Sequence, residues 1–189
     1  MTSSIPFASL ALDPTLLPGL DALGYTAMTP VQAQALPAIL EGRDVIAQAP
    51  TGSGKTAAFG LGLLGKINTT SGGSQALILC PTRELAQQVA HDAIDLVRHC
   101  HGLRVANVVG GMPYQLQIAK LQNADLVVAT PGRLLDLQRS MQIKLDKVQF
   151  LVVDEADRML DLGFSDDLAE LNQLTSQRKQ TMMFSATFA

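Results

Sequence analysis

Two short segments of the chain carry the residue types that handle phosphate groups and metal ions. Residues 49–56 read Ala-Pro-Thr-Gly-Ser-Gly-Lys-Thr, and Asp154 and Glu155 follow the apolar run 150–153. The first segment has the chemistry of a phosphate-binding loop. The second supplies one carboxylate for a metal ion and one for a water molecule. Together they predict a site that binds a nucleoside triphosphate and can cleave it.

The phosphate loop has the context that its motif requires, because a strand is predicted at 44–48 and a helix from Thr56 onward. Glycines let the backbone wrap phosphate oxygens, and the opening N–H groups of a helix favour an anion. Lys55 is predicted to reach the β- and γ-phosphates, and Thr56 to ligate Mg²⁺. The nucleotide-binding residues predicted here are Ala49, which replaces the first glycine of the motif, Pro50, Thr51, Gly52, Ser53, Gly54, Lys55 and Thr56.

The acidic pair is predicted to form the other half of the site. Asp154 stands at the carboxyl end of a strand, where open α/β sheets bind ligands, and it can hold Mg²⁺ through water. Glu155 can orient or deprotonate the attacking water. The alternative is that both residues only cap a helix at 156–160. We favour catalysis because we expect the phosphate loop on a neighbouring strand.

The composition indicates what positions these residues. Of 189 residues, 47% are hydrophobic and 16% are charged, against about 25% charged in typical domains. Such a chain suits one α/β domain over residues 1–189, with a mostly parallel central sheet covered by helices on both faces. The apolar runs predicted as strands, besides 44–48, are 76–80, 105–109, 126–129, 150–153 and 181–184. The individually predicted helices span 13–24, 30–40 and 83–98.

Charge and aromatic content limit the kind of partner. The net charge is −3, so no basic patch follows from the total, and tryptophan is absent. This argues against a base-stacking platform, so any nucleic-acid contact should be to sugar and phosphate. Cys80 is predicted to pack in the core. The run 99–101, His-Cys-His, is read as a helix end rather than a metal cluster. Without a leader or an apolar run long enough for a membrane span, a reducing cytoplasm and no membrane contact are expected.

The motifs then resemble those of a known family. Residues 154–157 read Asp-Glu-Ala-Asp, and nearly the whole chain is similar to the N-terminal RecA-like domain of the DEAD-box ATP-dependent RNA helicases. Phe7, Tyr25, Thr29-Pro30 and Gln32 resemble the adenine-reading Q motif, at about 5–33. Ala49 is the residue that the family usually carries. Segments 28–31 and 158–161 are most similar to the bacterial DbpA subfamily, which acts in large-subunit ribosome assembly.

The resemblance implies roles for individual residues. The amide of Gln32 would read adenine, with Tyr25 stacked on the base and Phe7 behind it. The alternatives are a surface helix position for Gln32 and ordinary core packing for Tyr25 and Phe7. Ordinary turn chemistry is the alternative for the RNA-facing and coupling sets. The RNA-facing residues would be Pro81, Thr82, Arg83, Gly110, Gly111, Thr130, Gly132 and Arg133. The residues coupling hydrolysis to unwinding would be Asp157, Ser185 and Thr187.

The implied function is ATP- and Mg²⁺-dependent remodelling of RNA, with little sequence readout. The family closes a second RecA-like domain over both ligands, and that domain carries an arginine finger. We expect that the chain is cut at a domain boundary before it, and that alone it binds nucleotide but hydrolyses it poorly. Two alternatives stay open: an ATP-gated RNA clamp or assembly scaffold, and a DNA helicase or other P-loop ATPase.

Overall fold

The structure is a computed structural model that describes residues 5–10, 12, 14–50, 53–68, 73–98 and 103–187. The predictions made for Asp13, Thr51, Gly52 and the run 99–101 lie outside these ranges.

Six strands form one sheet in which every pairing is parallel. The order across the sheet is β1-β6-β5-β2-β4-β3. Every residue of β2, β4 and β5 is buried, as expected when helices cover both faces. The predicted strand positions are confirmed to within a residue at each end. The strands are β1 Val45–Gln48, β2 Ala76–Leu79, β3 Val105–Val108, β4 Leu126–Ala129, β5 Phe150–Val153 and β6 Gln180–Ser185.

Eight α-helices connect or precede the strands within the described part of the chain. Two short 3₁₀ turns, Phe7–Ser9 and Pro14–Leu16, come before them. The longest helix has 15 residues, and none of those described combines the length and apolar character that a bilayer crossing needs. The helices are α1 Leu17–Ala22, α2 Pro30–Leu40, α3 Lys55–Leu64, α4 Arg83–Val97, α5 Tyr114–Leu121, α6 Pro131–Arg139, α7 Ala156–Asp161 and α8 Ser165–Leu174.

Two hydrophobic cores lie on the two faces of the sheet. One packs α2, α3 and α4 against side chains such as Ile78 and Phe184, whose ring centroid is 5.3 Å from that of Phe59. The other packs α6 and α8 against the alternate strand residues, such as Leu77. Because successive strand residues point to opposite faces, a continuous apolar strand serves both cores. The predicted α/β class with helices on both faces is therefore confirmed.

The start of α2 shows how local sequence fixes one element that borders the site. The side chain of Thr29 accepts a hydrogen bond from the backbone N–H of Gln32, and the Gln32 Oε1 accepts one from the N–H of Thr29 at 2.9 Å. This reciprocal capping box, followed by Pro30 at the first helical position, satisfies N–H groups that a helix start leaves unpaired. The predicted helix of 30–40 is present with these bounds.

One topological expectation is wrong. The phosphate-loop strand β1 and the acidic strand β5 are not neighbours, because β6 lies between them and pairs with both. Strand order depends on how each helix crosses the sheet, which the sequence pattern does not contain. The carboxyl ends of all six parallel strands nevertheless share one edge, so the two halves of the predicted site can still meet.

Candidate functional site

The two halves of the predicted site are in direct contact. The Lys55 Nζ lies 3.0 Å from Asp154 Oδ1 and 3.4 Å from Glu155 Oε2. Lys55 opens α3, directly after the phosphate loop, and the two acids follow β5. The side chains of Lys55 and Asp154 are 5% and 0% exposed, so little water screens the charges. The sheet edge therefore brings together the cation and both carboxylates that the sequence assigns to catalysis.

Burial governs the protonation behaviour of this cluster. Desolvation raises the pKa of Asp154 above its ordinary value, against the opposing attraction of Lys55. The pKa of the neighbouring Cys80 thiol is raised well above its usual range, first by burial and then by the charges of Asp154 and Glu155. Cys80 is thus a neutral, fully buried side chain, as its predicted packing role requires.

Several buried polar atoms at this edge lack a hydrogen-bond partner of normal geometry: Ser53 Oγ, Lys55 Nζ and both oxygens of Asp154. The 3.0 Å contact of Lys55 with Asp154 is thus an ion pair without good hydrogen-bond alignment. Buried polar groups in proteins are almost always paired. Buried donors and a buried carboxylate that lack well-aligned hydrogen bonds fit a site made for an anion together with a cation.

The opening of α3 adds backbone donors to the same place. The N–H of Ala58 makes the first intrahelical bond, to the carbonyl of Gly54, so the N–H groups before it have no partner within the helix. Such a helix start attracts phosphate. Within the described ranges no three His, Cys, Asp or Glu side chains cluster as a complete metal cage. Mg²⁺ characteristically takes one or two protein oxygens and completes its shell with water and phosphate, so Thr56 and Asp154 fit it.

Glu155 has an unusual backbone. Its φ and ψ are 52° and 55°, in the left-handed region that non-glycine residues rarely adopt. It occupies the position before α7, yet its side chain makes no capping hydrogen bond. The helix-cap alternative is therefore not supported for Glu155. Its carboxylate instead lies near Lys55 and, at 3.7 Å, near Arg158, and strain of this kind concentrates at functional sites.

Gln32 is fixed against the phosphate loop. It is 3% exposed, and its Nε2 donates to the carbonyl of Gly54 at 2.9 Å. Thr29 adds a second link, because its Oγ1 donates to the carbonyl of Ser53 at 2.8 Å. Gly54 has φ of 82°, and a Cβ there would lie 2.5 Å from Gln32 Nε2. The amide predicted to read adenine is therefore already partly used to bind the loop, which the sequence did not indicate.

Tyr25 and Phe7 are arranged as the Q-motif resemblance implies. Tyr25 is 41% exposed, whereas Phe7 is buried, and their ring centroids are 6.4 Å apart. Backbone hydrogen bonds join Phe7 N–H to Thr26 and Met28 N–H to Ile5, which fixes this segment beside α2. Phe7 thus packs in the core and behind Tyr25 at once, while the stacking of Tyr25 on a base remains a prediction.

A second group of predicted residues lies at the ends of β2, β3 and β4. Arg83 is exposed, and its NH1 contacts the carbonyl of Gly110 at 3.4 Å. Gly111 has φ of 84°, a left-handed backbone that other residues adopt only with strain, so the turn itself requires this glycine. A Cβ at Gly110 or Gly132 would meet nothing within 4 Å. These two positions leave the backbone open to a partner.

The threonines and the proline of this group differ in whether they have a polar group that can contact a partner. Thr82 caps α4 by accepting from the N–H of Leu85 at 3.2 Å. Thr130 occupies the same position before α6 but makes no capping bond with its side chain. Pro81 is buried and has no N–H, so its predicted contact with RNA has no exposed group to carry it. Pro81 follows the buried strand β2 and the buried Cys80, so it is covered although the exposed Arg83 lies two residues further on.

Arg133 is held by three residues that the sequence analysis did not identify, namely Met112, Tyr114 and Gln117. Its NH1 donates to the carbonyl of Met112 at 3.1 Å and to Gln117 Oε1 at 3.2 Å, and its guanidinium carbon lies 4.3 Å from the centroid of the Tyr114 ring. Gln117 is fully buried and donates to the carbonyl of Val109. A glutamine on a helix carries no sequence signal of such a role. Tyr114 carried a weak sequence signal, because it is an aromatic residue close to the Gly110-Gly111 pair.

The predicted coupling residues do contact one another. Thr187 donates from its N–H and its Oγ1 to Asp157 Oδ2, at 3.2 and 3.0 Å, and the N–H of Asp157 donates to Ser185 Oγ at 3.1 Å. Slight desolvation raises the pKa of Asp157, but the adjacent Ser185 hydroxyl, hydrogen bonds from Thr187 and two backbone groups outweigh it and lower the pKa.

Comparison with known proteins bears on this arrangement directly. The model of the DEAD/DEAH box helicase family matches residues 29–189. The chain belongs to the DEAD/DEAH box helicase family. Over 97% of this chain, its structure superposes on that of a DEAD box protein from the hyperthermophile Methanococcus jannaschii, with a TM-score of 0.92 and 37% identity, covering 50% of that chain.

Curated family members give the finer resemblance. ATP-dependent RNA helicase DbpA of Escherichia coli is 52% identical over 94% of this chain, and CshA of Listeria monocytogenes is 44% identical over 96%. The resemblance to DbpA expected from the sequence is thus confirmed. The chain spans 39% of the length of that DbpA and 35% of that CshA.

Proposed function

We propose that this chain is the N-terminal RecA-like domain of an ATP-dependent RNA helicase, spanning residues 1–189, and that it binds ATP with Mg²⁺ and the backbone of RNA. The observation that carries the proposal is the contact of Lys55 with Asp154 and Glu155 at the start of α3. The related DbpA and CshA are both named ATP-dependent RNA helicases.

The residues of the site divide the chemistry among themselves. Lys55 exchanges its carboxylate partners for the β- and γ-phosphates, while the N–H groups that open α3 bind phosphate oxygens. Thr56 and Asp154 hold Mg²⁺, which when bound neutralises charge on the phosphate oxygens. Glu155 orients the attacking water and accepts its proton, since its carboxylate lies within the same cluster. Ala49, Pro50, Thr51, Gly52, Ser53 and Gly54 complete the predicted phosphate loop.

Recognition of adenine falls to Gln32 and Tyr25. The Gln32 amide has a second N–H and a second lone pair beyond the bonds that it makes to Gly54 and Thr29. One donor and one acceptor are what the edge of adenine that carries N6 and N7 pairs with. The half-exposed ring of Tyr25 supplies a stacking surface.

RNA is proposed to lie along the ends of β2, β4 and β3. Thr82, Thr130 and Arg133 stand at helix starts there, Arg83 is exposed, and Gly110 and Gly132 leave the backbone accessible. Helix N-termini and guanidinium groups are suited to phosphodiester oxygens, and such contacts carry no sequence readout. Asp157, Ser185 and Thr187 are proposed to couple the two sites. A role in large-subunit ribosome assembly and a cytoplasmic location remain parts of this proposal.

The decisive test of the nucleotide site is calorimetry with ATP and GTP on the chain and on Gln32→Ala. We expect ATP to bind more tightly than GTP and the substitution to remove most of that preference. Lys55→Ala should abolish measurable binding of both. Equal affinity for the two nucleotides would contradict adenine recognition, but it would not contradict the proposed phosphate site.

The chief alternative is an ATP-gated RNA clamp in which binding matters more than cleavage. The strained, buried Glu155 argues for chemistry, since a clamp has no need of a residue that orients water. Glu155→Gln in the complete protein distinguishes the two, because a clamp would keep its function. Competition between single-stranded RNA and DNA distinguishes the proposed helicase from a DNA-dependent P-loop ATPase.

A further inference from the structure

Arg133 is more constrained than a typical surface arginine. Its guanidinium lies over the Tyr114 ring at 4.3 Å, and its NH1 is shared between the Met112 carbonyl and Gln117 Oε1. Gln117 is itself locked, because it is 0% exposed and donates to the Val109 carbonyl at 2.6 Å. Three groups on two segments thus fix one cation.

The arrangement leaves the rest of the guanidinium available. Neither Nε nor NH2 of Arg133 forms a hydrogen bond with a residue of the described ranges, whereas NH1 forms two. An arginine fork binds phosphate with two parallel N–H groups. The internal contacts therefore occupy NH1 and leave two nitrogens, Nε and NH2, to donate to a phosphate.

We propose that Tyr114 and Gln117 are positioning residues that preset Arg133 to receive an RNA phosphate. Holding a long side chain in its bound geometry before binding removes part of the entropy cost of association. Tyr114 fixes the plane of the guanidinium by cation–π contact, and Gln117 fixes its rotation within that plane. The inference rests on the proposed RNA-binding function but assigns residues that the function alone does not require.

The positioning can be measured without RNA. In the 189-residue chain, the Arg133 side-chain N–H resonance should be shifted by the Tyr114 ring current, with Arg133→Lys identifying the peak. Tyr114→Leu should move that resonance toward the position of a free arginine, and Tyr114→Phe should leave it in place. Gln117→Leu should broaden or move it as well. A resonance unaffected by both Tyr114→Leu and Gln117→Leu would overturn the proposal.

The consequence for RNA is measured by a double-mutant cycle. Tyr114→Leu should weaken binding of a short single-stranded RNA about two- to fivefold, the range of a partly exposed cation–π contact, and Tyr114→Phe should restore it. In an Arg133→Ala background the same Tyr114→Leu change should have no further effect, because Tyr114 acts through Arg133. Leu116→Ala, an exposed position on the same helix, is the matched control and should bind as the unaltered chain does.

The outcomes separate this proposal from the function on which it rests. A Tyr114 effect that persists without Arg133 would overturn the positioning role in favour of direct contact with RNA. The absence of any Tyr114 effect on RNA affinity would also overturn it. If the unaltered chain binds nucleotide but no RNA, the RNA-binding function fails and the RNA role of Arg133 fails with it. The resonance shift would then still show whether the three side chains are coupled.

Discussion

At the scale of single residues, the charged groups of the site pair with one another. Lys55 has two carboxylates as near neighbours, and Asp154 is fully buried. A buried ion pair gains little net stability because both charges lose their hydration. The cluster is therefore better suited to exchange partners with a phosphate and a cation than to hold the fold together.

The raised pKa of Asp154 gives a pH prediction. Since burial raises this pKa, the carboxyl takes up its proton at a higher pH than the ordinary value of about 3.9. The Mg²⁺-dependent part of nucleotide affinity should therefore decline as the pH falls toward that raised pKa and be restored as the pH rises through it. Calorimetry with and without Mg²⁺ across pH measures this.

Asp154→Asn is the control for that titration. The phosphates of the nucleotide still titrate in this variant, but position 154 no longer has a carboxyl that can take up a proton. Indistinguishable pH profiles for the two proteins would contradict the assignment of Asp154 as the titrating group.

The pKa of Asp157 is shifted in the opposite direction, downward. Its lowered pKa stabilises the fold above the ordinary carboxyl pKa, and this contribution is lost as the pH falls through the lowered value.

A second prediction at this scale concerns the contact between Gly54 and Gln32. Gly54→Ala should destabilise the fold by about 1–2 kcal/mol from its left-handed backbone and by about 1–3 kcal/mol more from the clash with Gln32 Nε2. Gly163→Ala is the matched control, since its φ is 85° but a Cβ there meets nothing within 4 Å. Urea denaturation should show the larger loss for Gly54→Ala, and equal losses would contradict the clash.

At the scale of elements, the sequence predicted where strands lie but not how they are ordered. Apolar runs located all six strands, most directly β2, β4 and β5, because a strand buried on both faces is apolar throughout. The insertion of β6 between β1 and β5 was not predictable, since it depends on helix crossovers. Helices α5, α6 and α8 were not individually predicted, because their apolar positions are fewer than in α4.

The same distinction holds within the site. Lys55, Asp154 and Glu155 were identifiable because their types and motif spacing are tied to a reaction. The internal use of Gln32 and the support of Arg133 by Gln117 were not, because both are contacts between segments distant in the chain. Local patterns report which residue types are available, whereas packing decides which of their hydrogen-bonding groups remain free.

The junction of β6 with α7 yields a prediction for an element. Ser185 is buried, and its hydroxyl accepts from the Asp157 N–H and donates to the Thr187 carbonyl. Ser185→Ala should lower the free energy of unfolding by about 0.5–1.5 kcal/mol per lost hydrogen bond. Nucleotide affinity should change little, because Ser185 is not among the groups proposed to bind phosphate.

Thermal unfolding and calorimetry measure the two quantities, and Ser140→Ala is the control, since it removes a hydroxyl that donates to the Leu137 carbonyl at a more exposed position. A large loss of nucleotide affinity in Ser185→Ala would show that the junction supports the phosphate site directly.

At the scale of the whole molecule, the site is half of the machinery that the proposal requires. In the helicase mechanism an arginine from a second domain stabilises the charge of the transition state, and such a finger contributes about 10³–10⁵ in rate. The 189-residue chain should therefore bind ATP but release phosphate at a barely measurable rate, even with RNA. A steady-state phosphate assay tests this, with Glu155→Gln as the background. Robust RNA-stimulated turnover by this chain would contradict the proposed division of labour.

The position of Ser185 has a mechanical consequence. Its carbonyl accepts from the N–H of Ala49 at the entrance of the phosphate loop, at 2.8 Å, while its hydroxyl accepts from the N–H of Asp157. A displacement of the β6 terminus would thus be transmitted simultaneously to the phosphate loop and to the residues beside the acidic strand. Side-chain substitution can cut only the second of these connections. The first is a main-chain hydrogen bond, which a change of the Ser185 side chain leaves intact. Only a substitution that alters the backbone at this position would break it.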